Sequence, residues 1–399
     1  MGNAMTLNIT RTHLCFITIG YTLFLVSFFQ ESIAPHYMPS FHVTGASLYG
    51  RIIFVVMMAF FLAMNLIRGR HVPKLASHVL VIITGLSILG LVTGVAFGNS
   101  TRMIAAHLFH NIIAFTCIAS ASTIALDSHG FLFRWARVTS LLILSFSSFV
   151  IVGIFSTVSG AIHLSVSLQA LAWPLCFGLA YRGPKVVHAV FAALLLFLTL
   201  KRGLWVAAIM VILLGNGLIL SAGLAVISII LAPVLIASDI GAGIAEMINL
   251  RLLRDFGGLD EFTSGRWSVI SSVFLELQEG VRLLFGTGFG SQFNARAAME
   301  FSTTDWITNG VDVIFAHFWL LYGIVPGTLV FLGLSTLVGH LLIRSRQYRD
   351  SHLTFFVLLV IFTYFASFST FIAWDPFMWT IIGLSIGRLR SLERHEAGA

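Results

Sequence analysis

The sequence predicts an all-α polytopic membrane protein, and three observations carry that expectation. The chain of 399 residues is 58% hydrophobic and only 10% charged, whereas globular domains carry about 25% charged residues. Its mean hydropathy is +0.96. Apolar runs recur along nearly the whole length, and they are continuous rather than alternating. Continuous runs suit helices, which need about 20 apolar residues to cross the hydrocarbon core. Strands of a membrane barrel would alternate. Lipid offers the backbone no hydrogen-bond partners, so the spans must satisfy their own, as a helical bundle does.

About twelve spans are expected, at 14–30, 51–67, 77–97, 103–126, 138–158, 162–181, 186–200, 204–219, 221–238, 314–343, 352–371 and 375–388. The first run has no small-x-small exit site and reads as an uncleaved span. Cys15, Cys117 and Cys176 lie in apolar runs without a CxxC pair. They read as small buried hydrophobes rather than as metal ligands or a disulfide framework. Segment 239–313 is too polar to cross. It divides the chain into an N-terminal bundle of about nine spans (1–238), one large helical loop (239–313), and about three C-terminal spans with a tail (314–399).

Orientation follows from the basic residues. With the N-terminus in the cytoplasm, 14 of the 23 Lys and Arg residues fall in cytoplasmic loops or the tail. The net charge of +7 is then mainly this bias, and no nucleic-acid partner is implied. Alternation of the spans places 239–313 outside the cytoplasm, and five of the remaining nine, exceptions to the bias, lie there. Lys201 and Arg202 fall between two spans on the same side.

Within the loop, "SGRWSVISSVFLELQEG" reads as a helix capped by Ser264, with Trp267, Ile270, Val273, Phe274 and Leu277 at helical spacing on one apolar face that would lie on the bundle or the membrane surface. Arg266 falls in its first turn, where free N–H groups and the positive dipole end favour a phosphate. The blander reading is a solvated or ion-paired Arg. Gly286, Gly288 and Gly290 form a G-x-G-x-G run that permits a tight turn with close backbone approach. No βαβ unit surrounds it, so it is not a dinucleotide fingerprint. A plain loop between two helices would look the same.

Arg202, at a span boundary, suits bidentate phosphate recognition, or it snorkels to lipid headgroups. His317 opens the span 314–343 among aromatics. An imidazole there can take a proton from an attacking hydroxyl, with Asp312 or Asp305 as an orienting carboxylate. His107, His110, His163 and His188, in or near spans, read as packed neutral side chains. The loop carboxylates form no DxD pair, so no metal site is expected.

The order of these parts resembles the O-antigen ligase and O-antigen polymerase superfamily of bacterial envelope glycosyltransferases. Arg-Gly stands at a span boundary, then a large external loop holds S-G-R-aromatic and G-x-G-x-G, then a His opens the next span before Gly-x-x-x-Gly. The motifs cover about 186–335, and the span layout covers the whole chain. Two positions depart from the family pattern: Phe318 follows the His where Asn is common, and Tyr322 precedes the later Gly.

The resemblance implies a bundle of the membrane-glycosyltransferase type in the bacterial inner membrane. Its donor is a glycan on undecaprenyl diphosphate, its acceptor a glycan or lipid A-core, and a chain-length regulator is a further partner. It needs no cofactor or metal. It implies that Arg202 and Arg266, with Lys201, hold the diphosphate, that His317 acts on the acceptor hydroxyl, and that Gly286, Gly288 and Gly290 shape the loop. The missing His-Asn pair leans the expectation towards polymerase over ligase. A polysaccharide or lipid transporter is the competing class; against it, no internal repeat is visible and few charges lie inside spans.

Overall fold

The computed structural model describes residues 12–15, 17–19, 22, 46–124, 126, 129–157, 171–181, 185–198, 202–216, 266–294, 307–308, 311, 313–368 and 376–397. After helical residues among 12–22, the helices are α1 (Ala46–Ile67), α2 (Lys74–Ala96), α3 (Thr101–Ser122), α4 (His129–Thr157), α5 (Ala172–Tyr181), α6 (Val186–Leu198) and α7 (Arg202–Asn216). Then come α8 (Arg266–Leu277), the short α9 (Arg282–Phe285), α10 (Ile314–Tyr322), α11 (Ile324–Tyr348), α12 (Ser351–Ala366) and α13 (Pro376–Ala397). One two-residue bridge, β1 (Phe293–Asn294) with β2 (Ile307–Thr308), runs antiparallel with Phe293 opposite Thr308. Among the described residues, α2, α3, α11 and Leu48–Ile67 of α1 are long and apolar enough to cross a membrane. The expected span 221–238 lies outside the described residues.

Local chemistry sets the helix ends. Gly69 follows α1 at φ +72°, a left-handed exit that glycine adopts without strain. Asp350 caps α12, its carboxylate accepting from Leu353 N–H at 2.7 Å.

α12 is buried on nearly every face, from Leu353 to Thr363, as a helix hydrophobic all round must be. Trp173 of α5 meets Trp135 of α4 and Phe355 of α12 edge-on, with ring centroids 5.1 and 4.9 Å apart, a favoured arrangement for π quadrupoles. Glycine lets α13 close on α3: a Cβ at Gly383 would lie 2.7 Å from Ala121 Cβ, the small-residue contact that packs membrane helices.

One end of the bundle is tied by a buried ion pair. Arg388 of α13 reaches Asp350 at 2.8 Å, the two side chains being 1% and 8% exposed, and also donates to the Leu126 carbonyl. Burial alone would raise the Asp350 carboxyl, yet the hydrogen bond and charge of Arg388 hold it below the usual carboxylate range. Arg390 donates to the His71 carbonyl at the same end.

One expectation needs correction. Residues 314–343 are not one span: the chain breaks at Gly323 (φ +89°) into α10 and α11. Phe315 meets Phe331, with ring centroids 6.1 Å apart, and Trp319 Nε1 donates to Thr328 at 3.0 Å. These pairs run in opposite senses, so α10 folds back along α11 as an antiparallel hairpin. The apolar residues of α8 divide between the bundle and the outer surface. Val273 and Leu277 are buried against Ala316 and Leu320 of α10, with Ser268 and Ser272 beside them. Trp267 and Phe274 instead face outward, with Leu275, Leu284 and Phe285. The small serines let α8 approach closely, and the larger aromatics stay at the rim.

Candidate functional site

The glycine run is built into the bundle rather than looped over it. Gly286, Gly288 and Gly290 all lie at φ between +71° and +79°, where a Cβ is strained. Each also stands against another backbone. A Cβ at Gly286 would lie 2.5 Å from Tyr322 N, and one at Gly290 would lie 2.9 Å from Ile104 N. One at Gly288 would collide with Gly94 of α2.

Every N–H from 286 to 290 finds an acceptor. Gly286 donates to Arg282 O at 2.8 Å, Thr287 to Leu320 O at 2.7 Å, Gly288 to Leu321 O at 3.2 Å and Phe289 to Gly90 O at 2.7 Å. Gly290 N–H donates to Nδ1 of His107 at 3.0 Å. Asn99, after α2, donates to the carbonyls of both Thr287 and Phe289 at 2.8 Å. The carbonyls of Leu320 and Leu321 belong to the last turn of α10, which a helix end leaves without intrahelical donors. The break at Gly323 and the glycine run therefore satisfy each other.

This packing closes one side of a cavity of about 420 Å³. Most of its wall is aliphatic, from α2, α10, α11 and α13. Its polar groups come from two helices. α3 presents His107, His110 and Asn111, and α10 presents His317 and Tyr322. Positions 107, 110, 111 and 114 follow helical spacing along a single face of α3. The His317 ring is 6.2 Å from that of His107, with 26° between the planes, and the buried Phe289 ring lies 5.8 Å from His107 on the loop side.

Further contacts position this face. Arg51 of α1 lies with Nη1 3.4 Å from Nε2 of His110. Arg only donates, so that His110 nitrogen is the acceptor. Asn111 donates to Ser87 at 2.9 Å and lines the same cavity as Tyr322. The arrangement offers an apolar chamber with imidazole acid–base groups on one wall.

Of the residues singled out from the sequence, His317 lies on this cavity and is 2% exposed. The three glycines hold the loop that forms its rim. Arg266 opens α8, half-buried, and is not among the cavity-lining residues. Arg202 opens α7, and Lys201, Asp305 and Asp312 lie outside the described residues. Cys117 and Cys176 are buried, as the small-hydrophobe reading expects, whereas Cys15 is exposed.

The packed-histidine reading suits His188, which bonds Ser140 at 2.8 Å, while His163 lies outside the described residues. His107 and His110 are buried as that reading expects, and they also line the cavity. The spacing "HLFHN" inside an apolar span was the available signal, since ionisable groups at such depth are a functional hypothesis by default.

Fold and site together define the class: an all-α integral-membrane protein with a histidine-bearing cavity between its helices. No family model matches the chain, and no curated protein matches it significantly.

Proposed function

We propose that the chain is an envelope glycosyltransferase of the O-antigen polymerase or ligase kind, with about twelve spans and both termini in the cytoplasm. It moves a glycan from undecaprenyl diphosphate to a sugar hydroxyl on the periplasmic side. The observation that carries this reading is His317, buried on the wall of an apolar cavity that suits a polyprenyl tail.

In this reaction His317 takes the proton of the acceptor hydroxyl as its oxygen attacks the anomeric carbon. The bond from that carbon to the phosphate oxygen breaks on the opposite face, so configuration inverts. The electron pair leaves with the diphosphate, whose charge Arg202, Arg266 and Lys201 neutralise. A clamped diphosphate departs without metal assistance. Polymerase is the favoured form, with a second lipid-linked repeat as acceptor; lipid A-core would make it a ligase.

The test is deletion of the gene in its native host, complemented by wild type, His317→Ala or Arg266→Lys, with surface glycans separated on a gel. A polymerase leaves one repeat on the core, whereas a ligase leaves a bare core with polymer accumulating on its lipid carrier. His317→Ala should reproduce the deletion, with a loss of about 100-fold or more. Arg266→Lys should fail as well, because Lys lacks the guanidinium fork. Unchanged glycans in the deletion strain would refute the proposal.

A further inference from the structure

We infer that the pocket at the turn between α11 and α12 binds the phosphate of an anionic phospholipid. It lies at the end of the molecule opposite the glycine loop, and it does not depend on the transfer reaction.

The pocket has a volume of about 600 Å³. Leu179 of α5, with Val357 and Leu358 of α12, forms an apolar part of its wall. The polar part comes from Arg346 and Arg349 at the end of α11, and from Ser351 and Thr354 in the first turn of α12. Neither guanidinium has a hydrogen-bond or ion-pair partner among the described residues, and the same holds for the hydroxyls of Ser351 and Thr354. Asp350, the carboxylate next in sequence, does not line the pocket, and the buried Arg388 holds it at 2.8 Å. Two positive charges and two hydroxyl donors thus line one space, with no countercharge among the described lining residues.

The position of the pocket favours a lipid as the source of the phosphate. α11 is long and apolar enough to cross a membrane, and both arginines lie at its end, the level of a lipid headgroup. A phosphate carried on hydrocarbon matches both parts of the wall, whereas a free anion would use only the polar part. Guanidinium forks suit phosphate oxygens, and basic pockets between helices on the cytoplasmic side take anionic headgroups.

Arg346 has a blander role open to it, since a cation in the last turn of a helix complements the dipole. Arg349 does not. It follows α11 at φ +50°, a left-handed position where glycine is usual and a side chain is disfavoured. The turn itself gives no reason for an arginine there, and the pocket does.

The test is thermal unfolding of the full chain, purified and stripped of lipid in a neutral detergent. Phosphatidylglycerol, phosphatidylcholine with the same chains, or inorganic phosphate is then added. Wild type is expected to gain about 2–5 °C from phosphatidylglycerol well above its Kd, and nothing from phosphatidylcholine. Arg346→Gln combined with Arg349→Gln should lose that gain. Arg349→Gly should melt at or above wild type without lipid, because glycine suits the turn, yet lose most of the gain. Arg344→Gln with Arg394→Gln removes the same charge outside the pocket and should keep it.

No gain in wild type, a gain that survives the Gln pair at 346 and 349, or an equal loss in the control pair would each overturn the inference. A matching gain from inorganic phosphate alone would overturn the lipid as its source. Should the Gln pair fail to accumulate, Arg349→Gly decides: a full gain from phosphatidylglycerol would remove the site.

Discussion

Gly288 is held from two directions, by its own φ of +74° and by Gly94 of α2, against which a Cβ would collide. A left-handed residue with a Cβ costs about 1–2 kcal/mol, and forcing a methyl into a closed contact costs about 1–3 kcal/mol. Gly288→Ala should therefore destabilise the protein by about 2–5 kcal/mol and disturb the cavity rim. Gly339, in the middle of α11, meets nothing within 4 Å. Gly339→Ala should leave stability unchanged or raise it by up to about 1 kcal/mol, since Ala is the better helix former. Thermal unfolding of both variants in detergent checks the contrast, and equal melting would contradict the packing of the loop. The sequence already showed that the G-x-G-x-G run permits close approach. It could not show to what, because Asn99 and Phe289 are 190 residues apart and no local pattern reports such a pairing.

At the scale of elements, the main surprise is the hairpin of α10 and α11. Hydropathy reads 314–343 as one run because both arms are apolar. The break was nonetheless written in "LLYGIVPG". Gly323 supplies a positive φ, and Pro326 falls in the first turn of α11, where its missing N–H is no loss. A continuous helix would hold positions 315 and 331 about 24 Å apart, yet their rings touch here at 6.1 Å. In a background free of Cys15, Cys117 and Cys176, the pair Phe315→Cys with Phe331→Cys should be joined by a bifunctional thiol reagent of about 8 Å span, a third of the straight-helix distance. Labelling of both thiols without cross-linking would favour the single straight span. The spans at 51–67, 77–97 and 103–126 were easier to read, because each lies between polar turns and needs no long-range partner to define it.

At the scale of the molecule, the glycine loop and the break at Gly323 lie together at one end, and the Arg388–Asp350 pair lies at the other. Arg68 and Arg70 follow α1, while Arg344, Arg346 and Arg349 lie at the end of α11, beside Asp350. Arg390, bonded to the His71 carbonyl, draws these turns together, so basic residues gather at the Asp350 end. The positive-inside bias predicts that this end faces the cytoplasm and that the glycine loop faces out. Glu279, in the turn before α9, and Gln347, near the end of α11, are both exposed and report on opposite ends. With the native cysteines replaced, Glu279→Cys should react with a membrane-impermeant maleimide in intact cells or spheroplasts. Gln347→Cys should react only after permeabilisation. The reverse pattern would turn the rim of the histidine cavity towards the cytoplasm, and a lipid-linked glycan presented outside could no longer reach His317. Orientation thus constrains the chemistry directly: the same cavity is a candidate transferase site only if its glycine-lined rim opens on the side where the donor is displayed.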